Sequence, residues 1–142
     1  MNGWLLDTNV LSELRRPRPD PNLVQFVAAQ PFDLLHVSVV TFAEIRFGIE
    51  VATDLSRRME LNHWLIHTAR PMFANRVLEI TEDILVAWRL LVEDGRKTGY
   101  TFAQPDLILA ATALHHGLTI VSRNTRDFEK AKVPILNPWE LA

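Results

Sequence analysis

The sequence predicts an α/β fold in which a mostly parallel sheet is covered by helices on both faces. Two observations carry the prediction. Short apolar, often β-branched runs alternate with segments of helical spacing along the whole chain. At 142 residues, 48% hydrophobic and 23% charged, the chain has the length and core material of one domain, taken as residues 1–142. No repeat, linker or low-complexity tract divides it.

The elements follow in order. Gly3 to Leu6 reads as a short buried strand ended by Asp7. Thr8 to Arg16 has helical spacing at Val10, Leu11 and Leu14, and Pro17, Pro19 and Pro21 then form a stiff loop. Asn22 to Gln30 is a second helix with Leu23, Phe26 and Val27 on one face. Leu34 to Val39 is a strand, and Thr41 to Ala52 a helix striped by Phe42, Ile45, Ile49 and Ala52. Ser56 to about Ala74 is a longer helix in which Pro71 marks a kink or an end. Arg76 to Ile80 is a third strand, and Thr81 opens a long helix that Gly99 caps. Pro105 fits the first turn of the next helix, which Gly117 stops. Leu118 to Ser122 is a strand, Thr125 to Lys130 one or two helical turns, and Val133 to Leu136 a last strand.

Composition narrows the functional classes. There is no cysteine, which excludes disulfides and thiolate metal sites and fits a reducing compartment. The start, Met1-Asn2-Gly3-Trp4, has no signal-peptide pattern, and no apolar stretch approaches the roughly 20 residues of a membrane span. A soluble, cytoplasmic protein with no membrane association is expected. The net charge of −2 is not that of a protein held to nucleic acid mainly by its charge. Basic residues do cluster locally at Arg15, Arg16 and Arg18, at Arg57 and Arg58, and at Arg123 and Arg126. Most are Arg, whose planar fork suits phosphate, although solvated surface is the plainer reading of any one of them.

Four acids stand at element junctions. Asp7 ends the first strand, Glu44 lies near a helix start in Thr41-x-x-Glu44, Asp106 follows Pro105, and Asp127 follows the strand ending at Ser122. In an alternating α/β chain such junctions share one sheet edge, where ligands bind. Each acid also has a purely structural reading. Asp7 can N-cap the helix from Thr8, Glu44 can close a capping box on Thr41, and Asp106 and Asp127 suit the positive end of a helix dipole. Gathered on one edge, four carboxylates repel one another, and a Mg²⁺ or Mn²⁺ ion relieves that repulsion. Asp7 and Asp106 are the expected direct metal ligands, and one ion or two both fit.

Rival sites are weaker. His63 and His67 have i, i+4 spacing, but Trp64 stands where a metalloprotease helix carries Glu. His115 and His116 are adjacent and point apart on a helix, so all five histidines read as structural or surface. No G-x-S-x-G, P-loop or G-x-G-x-x-G is present. A phosphatase of the haloacid dehalogenase type wants Asp-x-Asp after its first strand, where this chain has Asp7-Thr8-Asn9.

Four motifs in order resemble the PIN-domain ribonucleases, nearest to the VapC and FitB branch of type II toxin–antitoxin systems. They are Leu5-Leu6-Asp7-Thr8-Asn9, then Ser38-x-x-Thr41-x-x-Glu44-x-x-x-Gly48, then Pro105-Asp106 with Ala110-Ala111, then Val121-Ser122-Arg123-Asn124-Thr125-x-Asp127-Phe128. The resemblance runs from Leu5 to about Trp139. It implies a PIN-like three-layer sandwich around a central sheet of about five strands, and Mg²⁺- or Mn²⁺-dependent endonucleolytic cleavage of RNA. It makes Asp7, Glu44 and Asp106 the core acids. Some relatives carry Asp where this chain has Asn124, so the fourth member is either Asn124 or Asp127. A homodimer and a cognate antitoxin are also implied, the antitoxin bringing its own DNA-binding module to a larger assembly. Phe47, Trp64 and Ile66 are apolar residues beyond the stripes, and at least half of them are expected in the core. On this reading Thr8 and Ser122 fix the carboxylates, and Arg15, Arg46, Arg123 and Arg126 are candidate phosphate contacts. The alternative is a catalytically weak PIN-like module that binds an antitoxin or nucleic acid without cleaving.

Overall fold

The computed structural model describes residues 3–99 and 104–141. Five strands form one sheet in the order β3-β2-β1-β4-β5, with β1 Trp4–Leu6, β2 Leu35–Ser38, β3 Val77–Leu78, β4 Thr119–Val121 and β5 Ile135–Leu136. Every neighbouring pair is parallel. The chain starts at the centre, builds outward to β3, then crosses to the other side of β1. The point between β1 and β4 where the direction reverses is where doubly wound sheets open a crevice at their carboxyl ends.

Alternation along the strands splits the core into two layers. Leu6 and Val121 face one layer with Leu35, Val37, Phe42 and Phe73. Leu5 and Ile120 face the other with Leu107, Ala110, Ala113 and Phe128. The first layer is covered by α1 (Thr8–Leu14), α2 (Pro21–Ala29), α3 (Val39–Val51) and α4 (Leu55–Trp64). α4 runs through a π-helical turn, Leu65–Ala69, into the short α5 (Arg70–Met72). The second layer is covered by α6 (Glu82–Lys97), α7 (Gln104–His116) and the single turn α8 (Arg126–Glu129). This is the three-layer sandwich around five parallel strands that the sequence implies.

Local chemistry explains where boundaries moved. Pro21 opens α2 rather than ending a loop, because Asp20 Oδ1 accepts the N–H groups of Asn22 (3.0 Å) and Leu23 (3.2 Å). β2 stops at Ser38 because Ser38 Oγ accepts the Val40 N–H at 3.0 Å, so the β-branched pair Val39-Val40 is helical. The kink expected near Pro71 is the π turn before it. Proline has no N–H for the His67 carbonyl, and the widened turn runs from the Arg70 N–H to the Leu65 carbonyl. Gly99 and Gly117 both have positive φ (73° and 67°), the left-handed geometry of a helix stop.

Gly3 sits where β1 passes closest to β2. A Cβ added there would lie 2.7 Å from the Leu34 carbonyl oxygen and 3.1 Å from the His36 ring. Gly3→Ala is therefore expected to destabilise the fold by about 1–3 kcal/mol, as overpacking against backbone does. Urea unfolding checks this, and a midpoint equal to that of the parent chain would contradict the packing described.

Candidate metal centre

Asp7 continues the line of β1, its N–H donating to the Val121 carbonyl at 3.0 Å. The chain then turns into α1, and Asp7 caps it: Oδ1 accepts the Thr8 N–H at 2.7 Å. The other oxygen, Oδ2, accepts from Ser122 Oγ at 2.8 Å and weakly from Asn9 Nδ2 at 3.4 Å. Ser122 is fully buried, and its Oγ also accepts from Asn9 Nδ2 (3.1 Å) and the Asn124 N–H (3.0 Å). Asn9 Oδ1 accepts the Arg123 N–H at 3.3 Å, which closes the link between the ends of β1 and β4. The capping role and the site role of Asp7 coexist, one oxygen serving the helix and the other the β4 loop.

Glu44 reaches the same place from the second turn of α3. The alternative capping box on Thr41 does not form, because Ser38 already caps this helix three residues earlier. Glu44 Oε1 instead accepts from Thr8 Oγ1 at 3.3 Å, a bond Thr8 shares with Thr41 Oγ1, also at 3.3 Å. Asp106 lies in the first turn of α7, as its sequence context indicates. Asp7, Glu44, Asp106 and Asn124 all line one cavity of about 400 Å³. Asp127 does not line it. It is exposed on α8, its N–H donating to the Asn124 carbonyl at 3.2 Å, and its charge is felt at Asp7 and Asp106.

The carboxyls raise one another. Burial pushes Asp106 up to about 6, helped by the charges of Asp7, Asp127 and Glu44. Burial also raises Asp7, while the hydrogen bonds from Ser122 and the Thr8 N–H pull it back and Asp127 raises it again. Glu44 is raised by burial, lowered by the Thr8 hydroxyl and raised by Asp7. The ion pairs among the described residues are Arg16–Glu13, Arg58–Glu50 and Arg96–Glu93, so among those residues none of the three site acids has an ion-pair partner. Nor do three acidic or imidazole side chains among the described residues make a closed metal cage. The donors that line the cavity are hard oxygens, which suits an ion that takes one or two carboxylates and keeps several waters.

The family model described as PIN domain matches residues 4–134. The chain belongs to the PIN-domain family. It is 38% identical to the plasmid stability protein StbB of Pseudomonas syringae pv. tomato, spanning 96% of this chain and 98% of that protein. It is 36% identical to the VapC ribonuclease Y4jK of Sinorhizobium fredii, over 97% and 99% of the two chains. Among solved structures it is similar to FitAcB from Neisseria gonorrhoeae, with a TM-score of 0.90 at 33% identity, covering 97% of this chain and 99% of that one.

Within this PIN domain, Glu13, Arg16 and Trp139 line the acidic cavity although sequence reading did not single them out for it. Asn9, Glu13 and Arg16 recur at i, i+4, i+7 on α1 and its end, a face that Asn9 could have flagged. Glu13 is buried, accepting the Asp20 N–H at 2.9 Å. Trp139 carried no local signal, and the chain's return beyond β5 brings it in under Arg123, 5.6 Å from ring centroid to guanidinium carbon. Arg123 lines the cavity, whereas Arg46 and Arg126 do not. Phe47 (68% exposed) and Ile66 (55%) lie outside the core, and only Trp64 packs partly against it. This corrects the expectation that at least half of the three are core.

Repulsion among the acids has a stability consequence. The folded-state pKa of Asp106 is raised from 3.8 to about 6, so the folded chain binds a proton that the unfolded chain releases between those values. Stability therefore falls as pH rises through that window, and the penalty is complete above it. Asp106→Asn is expected to raise the melting temperature of metal-free protein at neutral pH by a few degrees, about 1 kcal/mol after allowing for solvent screening. The gain should shrink near pH 5. Thermal melts in EDTA at both pH values decide it, and a lower melting temperature for the variant at neutral pH would contradict the electrostatics.

Proposed function

We propose that this chain, acting as a single PIN domain over residues 1–142, is a divalent-metal-dependent endoribonuclease and the toxin of a type II toxin–antitoxin pair. One observation carries the chemistry: three carboxylates from three separate elements face one cavity, and among the described residues no cation pairs with any of them. A cation from outside completes such a site. The oxygen-only donor set fits Mg²⁺ or Mn²⁺, with Asp7 and Asp106 as direct ligands and Glu44 acting through water or a second ion. When bound, the metal activates water and stabilises the departing oxygen of a phosphodiester.

The chain's own residues do the rest. Ser122 and the Thr8 N–H aim Asp7 and counter the effect of its burial, and Thr8 Oγ1 does the same for Glu44. Asn124, at the cavity wall, orients water without adding charge, and Asp127 supports the site by its field from outside. Arg123 and Arg16 are the guanidiniums nearest a phosphate seated in the cavity. The family match and a relative named a VapC ribonuclease support RNA as the substrate. The partner is a cognate antitoxin that contributes DNA binding to a larger assembly around a toxin homodimer. Exposed Phe47 and Ile66 and an apolar cavity lined by Leu14, Val27, Trp64 and Met72 offer it surface. No helix among the described residues is long and apolar enough to cross a membrane, and we place the protein in the cytoplasm.

Cleavage of a cellular RNA pool with Mg²⁺, with Mn²⁺ and with EDTA tests this reading. Discrete fragments should require metal and disappear in Asp7→Asn. Ser122→Ala, which removes the hydroxyl that orients Asp7 and joins it to Asn9 and the Asn124 N–H, should slow cleavage about 10–100-fold while the fold survives. Equal cleavage by folded Asp7→Asn would sink the assignment. No cleavage by any folded, antitoxin-free protein would favour a binding module.

A further inference from the structure

A groove of about 330 Å³ opens beside the acidic cavity and shares Thr8, Ser12 and Glu44 with it. Arg15, at the end of α1, and Arg57, in the first turn of α4, both line it, together with Gly48 and Trp64. The space over Gly48 is open, with no atom within 4 Å of a would-be Cβ.

The arginines next to this pair in sequence are held differently. Arg16 is paired with Glu13 at 3.5 Å. Arg58 is paired with Glu50 at 4.0 Å and donates from Nε to the Ile49 carbonyl at 3.1 Å. Arg15 and Arg57 have no ion pair among the described residues, and they stand close enough to repel. Burial, and then the charges of Arg57 and Arg16, hold the Arg15 guanidinium below its ordinary value, with only Glu60 opposing. Two unpaired guanidiniums in one groove call for an anion, and their planar donor forks match phosphate oxygens. The groove runs into the acidic cavity through Glu44, so a strand whose phosphodiester sits among the acids has its next stretch of backbone here. Trp64 adds an aromatic surface, the second component of grooves that take unpaired nucleotides.

We propose that this groove is a second phosphate subsite, in which Arg15 and Arg57 hold the backbone of a single-stranded RNA next to the phosphodiester at the acidic cavity. The proposal rests on the ribonuclease reading and adds a substrate form and a direction of approach along α1 and α4.

The test uses the full chain carrying Asp106→Asn, so that RNA is bound and not cut. Its binding to a short fluorescein-labelled single-stranded RNA of mixed sequence is followed by anisotropy between about 50 and 200 mM salt. Adding Arg15→Gln and Arg57→Gln together should weaken binding about tenfold and lower the slope of log K against log salt by about 1.4, some 0.7 per phosphate contact on a single strand. Arg15→Lys with Arg57→Lys keeps the charges and should keep the slope, which also separates lost contacts from lost folding. Arg89→Gln removes one positive charge on α6, from a residue that lines neither cavity, and should leave the slope as it was.

RNA binding by the Asp106→Asn parent with a slope indifferent to the paired Gln substitutions overturns the subsite and leaves the ribonuclease reading intact. An equal drop with Arg89→Gln overturns it too, as does Arg15- and Arg57-dependent binding of poly-glutamate with RNA binding unaffected, which would assign the groove to an acidic protein. A parent protein that binds no RNA removes the ribonuclease reading and the subsite together.

Discussion

The structure depends on one carboxylate with two obligations. Asp7 is buried at the end of the central strand, where one oxygen caps α1 and the other takes the Ser122 hydroxyl from the β4 loop. Burying a carboxylate is unfavourable unless hydrogen bonds compensate; here burial raises Asp7 and those two bonds offset part of that rise. They also pin the ends of β1 and β4 together at the point where the strand order reverses. Asn9 extends the link by bonding to Ser122 and to the Arg123 backbone. The groups that hydrogen-bond Asp7 are therefore the same groups that set the shape of the crevice.

Around that anchor the fold accumulates charge of one sign. α3 brings Glu44 and α7 brings Asp106, each from the opposite layer of the sandwich, and burial first, then mutual repulsion, raises their carboxyls. Elsewhere Glu13, Glu50 and Glu93 pair with arginines. Among the described residues the site acids have no ion pair, and neither do Arg15 and Arg57 of the adjoining groove. A segregated arrangement of this kind suits a bound metal beside a bound polyanion, and it explains a near-neutral chain that still fits a nucleic acid.

Much of this was legible in the residues, for identifiable reasons. The five strands, both layers and the positions of Asp7 and Asp106 follow from local signals: apolar runs, N-caps, a proline at a helix start and glycines at helix ends. Thr41-x-x-Glu44 offered Glu44 a capping role beside its site role, and the cap is instead Ser38, a residue that reads equally well as the end of a strand. The choice between Asn124 and Asp127 turned on which side of one short turn each occupies, a matter of tertiary geometry. Trp139 reaches the cavity only after the last strand has been laid down, so no local pattern could place it there. Phe47 and Ile66 are apolar but exposed because α3 and the α4–α5 segment have more apolar residues than one buried face can hold.

The most direct test of this account is Mn²⁺ binding to the metal-free protein by calorimetry, compared with Asp7→Asn. The account predicts that the parent chain takes up Mn²⁺ and that the variant, folded to the same extent, binds it at least about a hundredfold more weakly. Equal affinity in the two proteins would show that the buried carboxylate is a structural cap alone, and that the converging acids serve something other than a metal.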